Sequence, residues 1–428
     1  QLTDRRGQGQ CCIHHGARAP VARIPYAACN LPPVTRKFFM LRRRISITSE
    51  GWYYLVLLAA LLLAAMLREI NLLLLLAALL SGPVLLCWRL VAVTLRGLEV
   101  RRQMPRGVCA GDLLVVDLEV ANRRRRTTSW ALVVEEEIVR LNGSDAAPVR
   151  PAVFFSHVEP GGTRRREYRG RLPQRGRYRV GPLKLSTRFP FGLFRGTLID
   201  SRVETLTVYP RLGRLTAAWR SRRRESHEGT QRRQLGQARA SGDFFGVREW
   251  QAGDSRRWIH WRSSARHQKL VVKQFEQQRH RDVAVLLDLW QPAAASAADR
   301  ENVELAISFA ATIVADACRR GGSNLLVALG GAGLGLCGGS ASPPVMEEIM
   351  AELAVAEASP AASLAGLASA VMPRVSADAE VVVISTRKLA GEQAEVVAAI
   401  RRRSRRGPAR RLLAVSTAED ELNEYYRA

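Results

Sequence analysis

Lysine is almost missing from this basic chain of 428 residues. Only Lys37, Lys184, Lys269, Lys273 and Lys388 are lysines, out of 65 Lys and Arg, so arginine carries the excess over 39 Asp and Glu. The formal net charge of +26 points to an anionic partner, either phospholipid headgroups or nucleic acid. No nucleic-acid module is recognisable and membrane segments are present, so anionic headgroups are expected and nucleic acid is not. Cysteine is sparse and odd in number, with seven residues and no CxxC or zinc spacing. Cys87, Cys109, Cys318 and Cys337 therefore read as buried or free thiols in a reducing compartment. Cys11-Cys12 with His14-His15 are metal-binding residue types, but they lie in a segment without periodicity. No GxxxxGK[ST] exists, and the glycine-rich run Gly330 to Gly339 lacks the Lys and Ser/Thr a phosphate loop needs.

Two long apolar runs are present. Trp52 to Leu67 and Leu72 to Trp88 are nearly free of charge and are separated by Arg68-Glu69-Ile70-Asn71. Each is near the lower limit for crossing a hydrocarbon core of ~30 Å. Gly82-Pro83 predicts a kink in the second. Trp52, Tyr53, Tyr54 and Trp88 stand where interfacial aromatics belong. Arg36, Lys37, Arg42, Arg43 and Arg44 precede the first run, and Arg89, Arg96, Arg101 and Arg102 follow the second. The positive-inside rule then puts both chain ends in the cytoplasm of a bacterium, with the hairpin in its cytoplasmic (inner) membrane as a multi-pass anchor. Residues 1–39 show no period. They are expected to be a disordered or misassigned extension ahead of Met40, where MLRRRISITSEGWYYLVLL has the form of a bacterial membrane-protein start.

Residues 40–97 thus form a transmembrane hairpin. Residues 98–213 read as short strands between turns, a β-sandwich of immunoglobulin-like type. Residues 214–240 are arginine-rich and without apolar period, and are expected as a linker. In 241–428, aliphatic strands at Val283–Leu287, Leu325–Leu329, Glu380–Ser385 and Leu412–Val415 alternate with helical segments at Glu301–Arg319, Pro344–Glu357, Ala361–Ala370 and Gly391–Arg403. That alternation predicts a mostly parallel, doubly wound α/β sheet. Gly330 to Gly339 reads as a flexible loop. Phe189, Phe191, Leu193 and Phe194 are expected as core packing under a loop, with a docking surface as the alternative.

The densest stretch is Gly242 to Glu276, GDFFGVREWQAGDSRRWIHWRSSARHQKLVVKQFE. Gly253-Asp254 is a turn, Asp254 is placed to cap a helix, and Ser255 to Arg266 has helical spacing. Trp258, Trp261 and Ala265 share a face of that helix. The wording GVREW, GDSRRWIHWRSSAR and LVVKQFE resembles the signature of the domain-of-unknown-function 58 family, and RGRYRVGP and FPFGLF resemble it more weakly. The resemblance implies a membrane-anchored protein with a von Willebrand factor A-like domain and a MoxR-type AAA+ ATPase as neighbour. It implies no agreed activity.

An A domain with a working metal site carries Asp-x-Ser-x-Ser after its first strand. Here Asp288 is followed by Trp290 and Pro292 at the two serine positions, so Asp288 marks a degenerate site and no metal or other cofactor is expected. Within the signature, Asp243, Glu249, Asp254 and His260 are residue types for acid–base work. Arg248, Arg257, Arg262 and Arg266 are available to pair with the acids, and the favoured reading is a buried or half-buried ion-pair network that, together with tryptophans such as Trp250 and Trp261, pins the helix of the signature to the sheet. With Gly253, Ser264, Lys273 and Glu276, these residues make up the expected structural or partner-binding block. The expected function is a non-enzymatic, membrane-anchored cytoplasmic adaptor that binds a protein partner, such as the ATPase the resemblance implies. The alternatives are a metal-dependent or hydrolytic enzyme with its site in the signature, and an arginine-rich binder of anionic lipid or nucleic acid.

Overall fold

The computed structural model describes residues 42–68, 71–141, 147–222, 243–252, 254, 256–276, 282–376, 379–404, 412–419 and 421–428. The extension expected at 1–39, most of the linker, Gly242, Gly253 and Ser255 lie outside them.

The two apolar runs are helices, Ser49–Arg68 and Asn71–Thr94, and each is long and apolar enough to cross a membrane. The second continues through Pro83. Leucines point outward all round: Leu57, Leu63, Leu72, Leu79 and Leu85 are more than half exposed. A helix apolar on every side is one made for burial in a protein core or in lipid. The Tyr54 hydroxyl donates to the Leu80 carbonyl at 2.9 Å and ties the pair together.

Arg42–Ile47, expected only as a basic flank, is a strand that pairs antiparallel with Phe194–Asp200. It opens a five-stranded sheet continued by Leu183–Thr187, Ser129–Glu135 and Ala152–Val158. A three-stranded sheet, Leu98–Gln103, Leu113–Asn122 and Thr163–Arg171, packs against it. The long strand Leu113–Asn122 serves two cores. Leu118 and Val120 meet Leu132, Phe155 and Leu185, while Leu114 and Val116 meet Tyr178, Leu206 and Val208. The second group belongs to a four-stranded sheet ordered Gly107–Cys109, Glu204–Tyr209, Gly176–Val180, Ile138–Arg140. Buried among these sheets, Arg102 is ion-paired with Glu136, and Glu136 also accepts from the Tyr168 hydroxyl at 2.6 Å.

Both apolar helices are rooted in this β region. Arg124, just after strand Leu113–Asn122, donates to the Val93 and Thr94 carbonyls at 2.9 and 3.1 Å, and so caps the end of the second apolar helix. These are carbonyls that a helix end leaves without an internal partner.

The carboxy-terminal half holds a five-stranded sheet ordered Leu334–Ser340, Asn324–Gly330, Val283–Asp288, Glu380–Ser385, Leu412–Ser416. All neighbours are parallel except Leu334–Ser340, which pairs antiparallel at the edge. The glycine-rich run expected as a loop therefore supplies that edge strand. Alternation splits Val283–Asp288 between two layers. Val283, Val285 and Leu287 pack with helices Ala297–Arg320 and Pro343–Val355, and Ala284 and Leu286 pack with helices Leu364–Val371 and Glu392–Ser404. Burial on both faces is what a parallel sheet requires, and explains the unbroken aliphatic runs. Ala297–Arg320 starts four residues earlier than its apolar period suggested because Ser296 and Asp299 form a capping box.

The first residues of the expected linker are structured. Arg214–Leu215 pairs with Tyr426–Arg427, residues 217–222 are helical, and Trp219 is fully buried against Phe309. Arg175 of the β region bridges to this half through Glu304 and the Leu353 and Ala356 carbonyls.

Candidate functional site

The signature builds a small unit of its own. Asp243–Glu249 and Val271–Glu276 form a two-stranded antiparallel hairpin, with Asp243 opposite Glu276 and Arg248 opposite Val272. Between them come a turn, a single 3-10 turn Arg256–Trp258 and the helix Trp261–His267. The continuous helix expected from Ser255 to Arg266 is broken at His260. There the Ile259 bridge to Val272 and the His260 N–H bond to the Val271 carbonyl, 2.8 Å, use backbone groups along the strand end. His260 then starts the helix itself, its Nδ1 accepting from the Ser263 N–H at 3.2 Å.

Asp254 consequently caps no helix. It accepts two bonds from the Arg248 guanidinium, 2.7 Å each, and one from the Gln251 N–H at 2.9 Å. The Arg248 hydrogen bonds, then the Gln251 bond, hold its carboxyl below the usual carboxylate range. Ser264 proves to be the pin. It is buried, donates to the His260 carbonyl at 3.1 Å and accepts from the Val271 N–H at 2.9 Å, locking helix to strand. Trp250 is held by its backbone N–H on the Leu270 carbonyl, and its indole nitrogen is buried without a partner among the described residues.

Of the expected buried or half-buried ion-pair network, the described residues show one half-covered pair. Arg248–Asp254 is the one half-covered pair in the described part of the block, and Glu249–Lys269 at 3.0 Å is open to water on both sides. Such open pairs contribute about 0–1 kcal/mol. Arg257, Arg262, Arg266 and Lys273 are exposed and make no ion pair among the described residues. Trp261, expected to pin the helix, is 67% exposed, with Val247 and Leu270 also open. Trp261 opens the helix and is exposed although it stands three positions before the buried Ser264, a spacing that ordinarily shares one face.

The sheet's carboxyl edge is the other candidate. Asp288 ends the central strand with no exposure at all. It accepts from the Ser385 hydroxyl at 3.0 Å and from Arg387 Nε at 3.3 Å. Arg387 also donates to the Ala362 carbonyl at 2.9 Å, and its guanidinium lies 5.4 Å from the Trp290 ring centre. Thr386 anchors the Trp290 carbonyl. Arg387 was not singled out from sequence, although Ser385-Thr386-Arg387 directly follows the strand beside Asp288. The other Asp288 oxygen, Oδ1, has no partner among the described residues. A hollow of about 70 Å³ beside Arg387, lined also by Ser363 and Glu392, is far below the roughly 300–1,000 Å³ of ligand pockets. Among the described residues, no three His, Cys, Asp or Glu side chains gather where they could hold a metal ion. The Cys109 thiol is pushed up to about 11 by burial and then by Asp112, so little of it is thiolate at neutral pH.

Similarity to solved structures is slight. A mutant β-glucosidase from Listeria innocua, in complex with laminaribiose, matches 26% of this chain and 16% of its own at 15% identity and TM-score 0.20. An alkylpurine DNA glycosylase from Pseudomonas fluorescens matches at 12% identity, 26% and 31% coverage and TM-score 0.19. A CARDB domain from Pyrococcus furiosus matches at 16%, 26% and 93%, with TM-score 0.17. At these scores none carries an argument. The uncharacterized protein YeaD of Bacillus subtilis is 27% identical over 209 residues, 48% of this chain and 51% of the relative, so the chain spans about half the length of the curated relative it matches. Residues 246–419 match the model of the family described as "Protein of unknown function DUF58". That match, which takes in most of the signature hairpin and the five-stranded sheet, together with the distant relative, supports the DUF58 family for this chain.

Proposed function

We propose that the chain is a membrane-anchored adaptor whose signature unit docks a protein partner. The observation that carries this is Trp261, open to solvent on a helix that is itself pinned, with Arg257, Arg262 and Arg266 exposed and without an ion pair among the described residues. Tryptophan and arginine dominate the binding energy of protein interfaces, and a rigid support lowers the ordering cost of using them. A two-stranded hairpin is marginal alone, which favours a unit completed by packing against something else. In this reading the two apolar helices span the cytoplasmic membrane of a bacterium, with Arg44, Arg89 and Arg96 on the cytoplasmic side. The β region is an immunoglobulin-like stalk and the doubly wound half is a von Willebrand A-like domain. Its strand order, antiparallel edge and Asp288 position support that likeness. A MoxR-type AAA+ ATPase is the partner class we favour. The Arg387 guanidinium donates to Asp288, the residue at the degenerate metal-site position, which favours binding without a metal.

The test is capture of the partner from membranes in mild detergent, comparing the native chain with Trp261→Ala. The expected loss is on the order of 2 kcal/mol or more of binding, roughly thirtyfold, with unchanged thermal unfolding. Equal recovery of the ATPase by both proteins, or recovery of none by either, defeats the reading. The Ser263 hydroxyl lies 2.7 Å from His260 Nδ1, the observation that most favours the hydrolytic alternative, but both groups belong to one helix cap.

A further inference from the structure

A second exposed aromatic sits far along the chain from the signature. The loop Arg188 to Phe194 is seated on the first turn of the first span. The Thr48 N–H donates to the Leu193 carbonyl at 3.1 Å, and the Thr48 hydroxyl reaches the Gly192 and Leu193 carbonyls at 2.6 and 3.0 Å. Gly51 faces that same Leu193 carbonyl with no room for a side chain, since a Cβ there would lie 2.1 Å from the oxygen. The span helix starts at Ser49, so the loop stands at the level where the chain enters its apolar stretch.

The loop is built stiffly. The Gly192 N–H closes a turn on the Arg188 carbonyl at 2.8 Å, with Gly192 at φ +75°. Phe189 stacks on Trp130 with ring centres 6.2 Å apart. Leu193 is buried as expected of core packing, but Phe191 at the tip is 60% exposed. Trp52 and Tyr53, in the adjoining turn of the span, are 59% and 77% exposed. No acidic residue interrupts Arg188 to Phe194, and Arg188 and Arg96 are exposed.

We propose that this loop is an interfacial foot, with Phe191 lodged at the headgroup–acyl boundary of the leaflet from which the first span rises. The occupant of the exposed patch is the lipid surface. Aromatic rings favour that layer, and arginines beside it meet anionic headgroups. The inference rests on the reading of the helix pair as membrane spans. The foot fixes the tilt of the β region against the bilayer, because loop, strand Arg42–Ile47 and Arg124 all grip the same ends of the hairpin.

The experiment places photoreactive p-benzoylphenylalanine singly at Phe191, Trp52 or Leu334 in the full chain, reconstituted in vesicles containing phosphatidylglycerol. Leu334 is exposed on the edge strand of the carboxy-terminal half. After irradiation, lipid adducts are read by mass spectrometry. The expected result is adduct at Phe191 and Trp52, each several-fold above Leu334. Adduct at Trp52 alone, or cross-linking of position 191 to protein, overturns the foot and leaves the spans standing. No adduct at Trp52 removes the spans and the foot together. Equal adduct at all three positions also overturns it, since the surface would then have no preferred face.

Discussion

The signature unit and the carboxyl edge of the five-stranded sheet draw on the same residue types and use them in opposite ways. At the sheet edge, Asp288, Arg387 and Trp290 close on one another, with Asp288 wholly out of water. In the signature, Trp261, Arg262 and Arg266 face outward and, among the described residues, Arg248–Asp254 alone closes. The difference lies in what surrounds them. The sheet edge is flanked by strands and helices on both sides and must neutralise any charge it buries. The signature has two strands and under two turns of helix, and Trp261, Val247 and Leu270 stay open. Inventory therefore does not give role; coverage does.

The contrast breaks most visibly under truncation. Arg387→Ala leaves Asp288 buried without its cation and is expected to destabilise the carboxy-terminal half by roughly 3–5 kcal/mol in denaturant unfolding. Trp261→Ala should stay within about 0.5 kcal/mol of the native chain in the same measurement. Similar losses for both would erase the distinction. A smaller effect tests the junction between the first apolar helix and the loop seated on it. Gly51→Ala forces a methyl onto a backbone oxygen and should cost about 1–3 kcal/mol of thermal stability in detergent, whereas Gly82→Ala, with open space around it, should cost nothing measurable.

The smallest expected effect sharpens the signature side. The Asp254 carboxyl is held below its ordinary value, so its contribution is complete above the unfolded carboxylate range and fades as pH falls through the lowered folded value. Asp254→Asn should therefore weaken protection of the signature hairpin in hydrogen exchange at neutral pH and make no difference in strong acid. A variant that matches the native chain at neutral pH would show that the Arg248 pair is incidental.

Periodicity located the four parallel strands and their helices because burial on both faces leaves uninterrupted aliphatic runs such as Val283 to Leu287. It misread Gly330 to Gly339, because an edge strand gains its pairing from a neighbour and needs little side-chain bulk; Gly335 already approaches Leu329 closely. It also missed the strand Arg42–Ile47, whose arginines look like a membrane flank and whose partner lies some 150 residues away. In the signature, the residue list was legible and the geometry was not. Helical spacing in 255–266 says nothing of the Val271 and Val272 backbone that stops the helix at His260.

By itself the sequence determined the apolar hairpin, the β character of 98–213 and the alternating layers of the carboxy-terminal half, since each follows from local hydrophobic pattern. Only the tertiary structure decided which charges are covered. It gave Asp288 an arginine from another strand's end, gave the second apolar helix a cap from Arg124, and left Trp261 and Phe191 open. Coverage depends on residues far apart in the chain, and no local pattern records which of them meet.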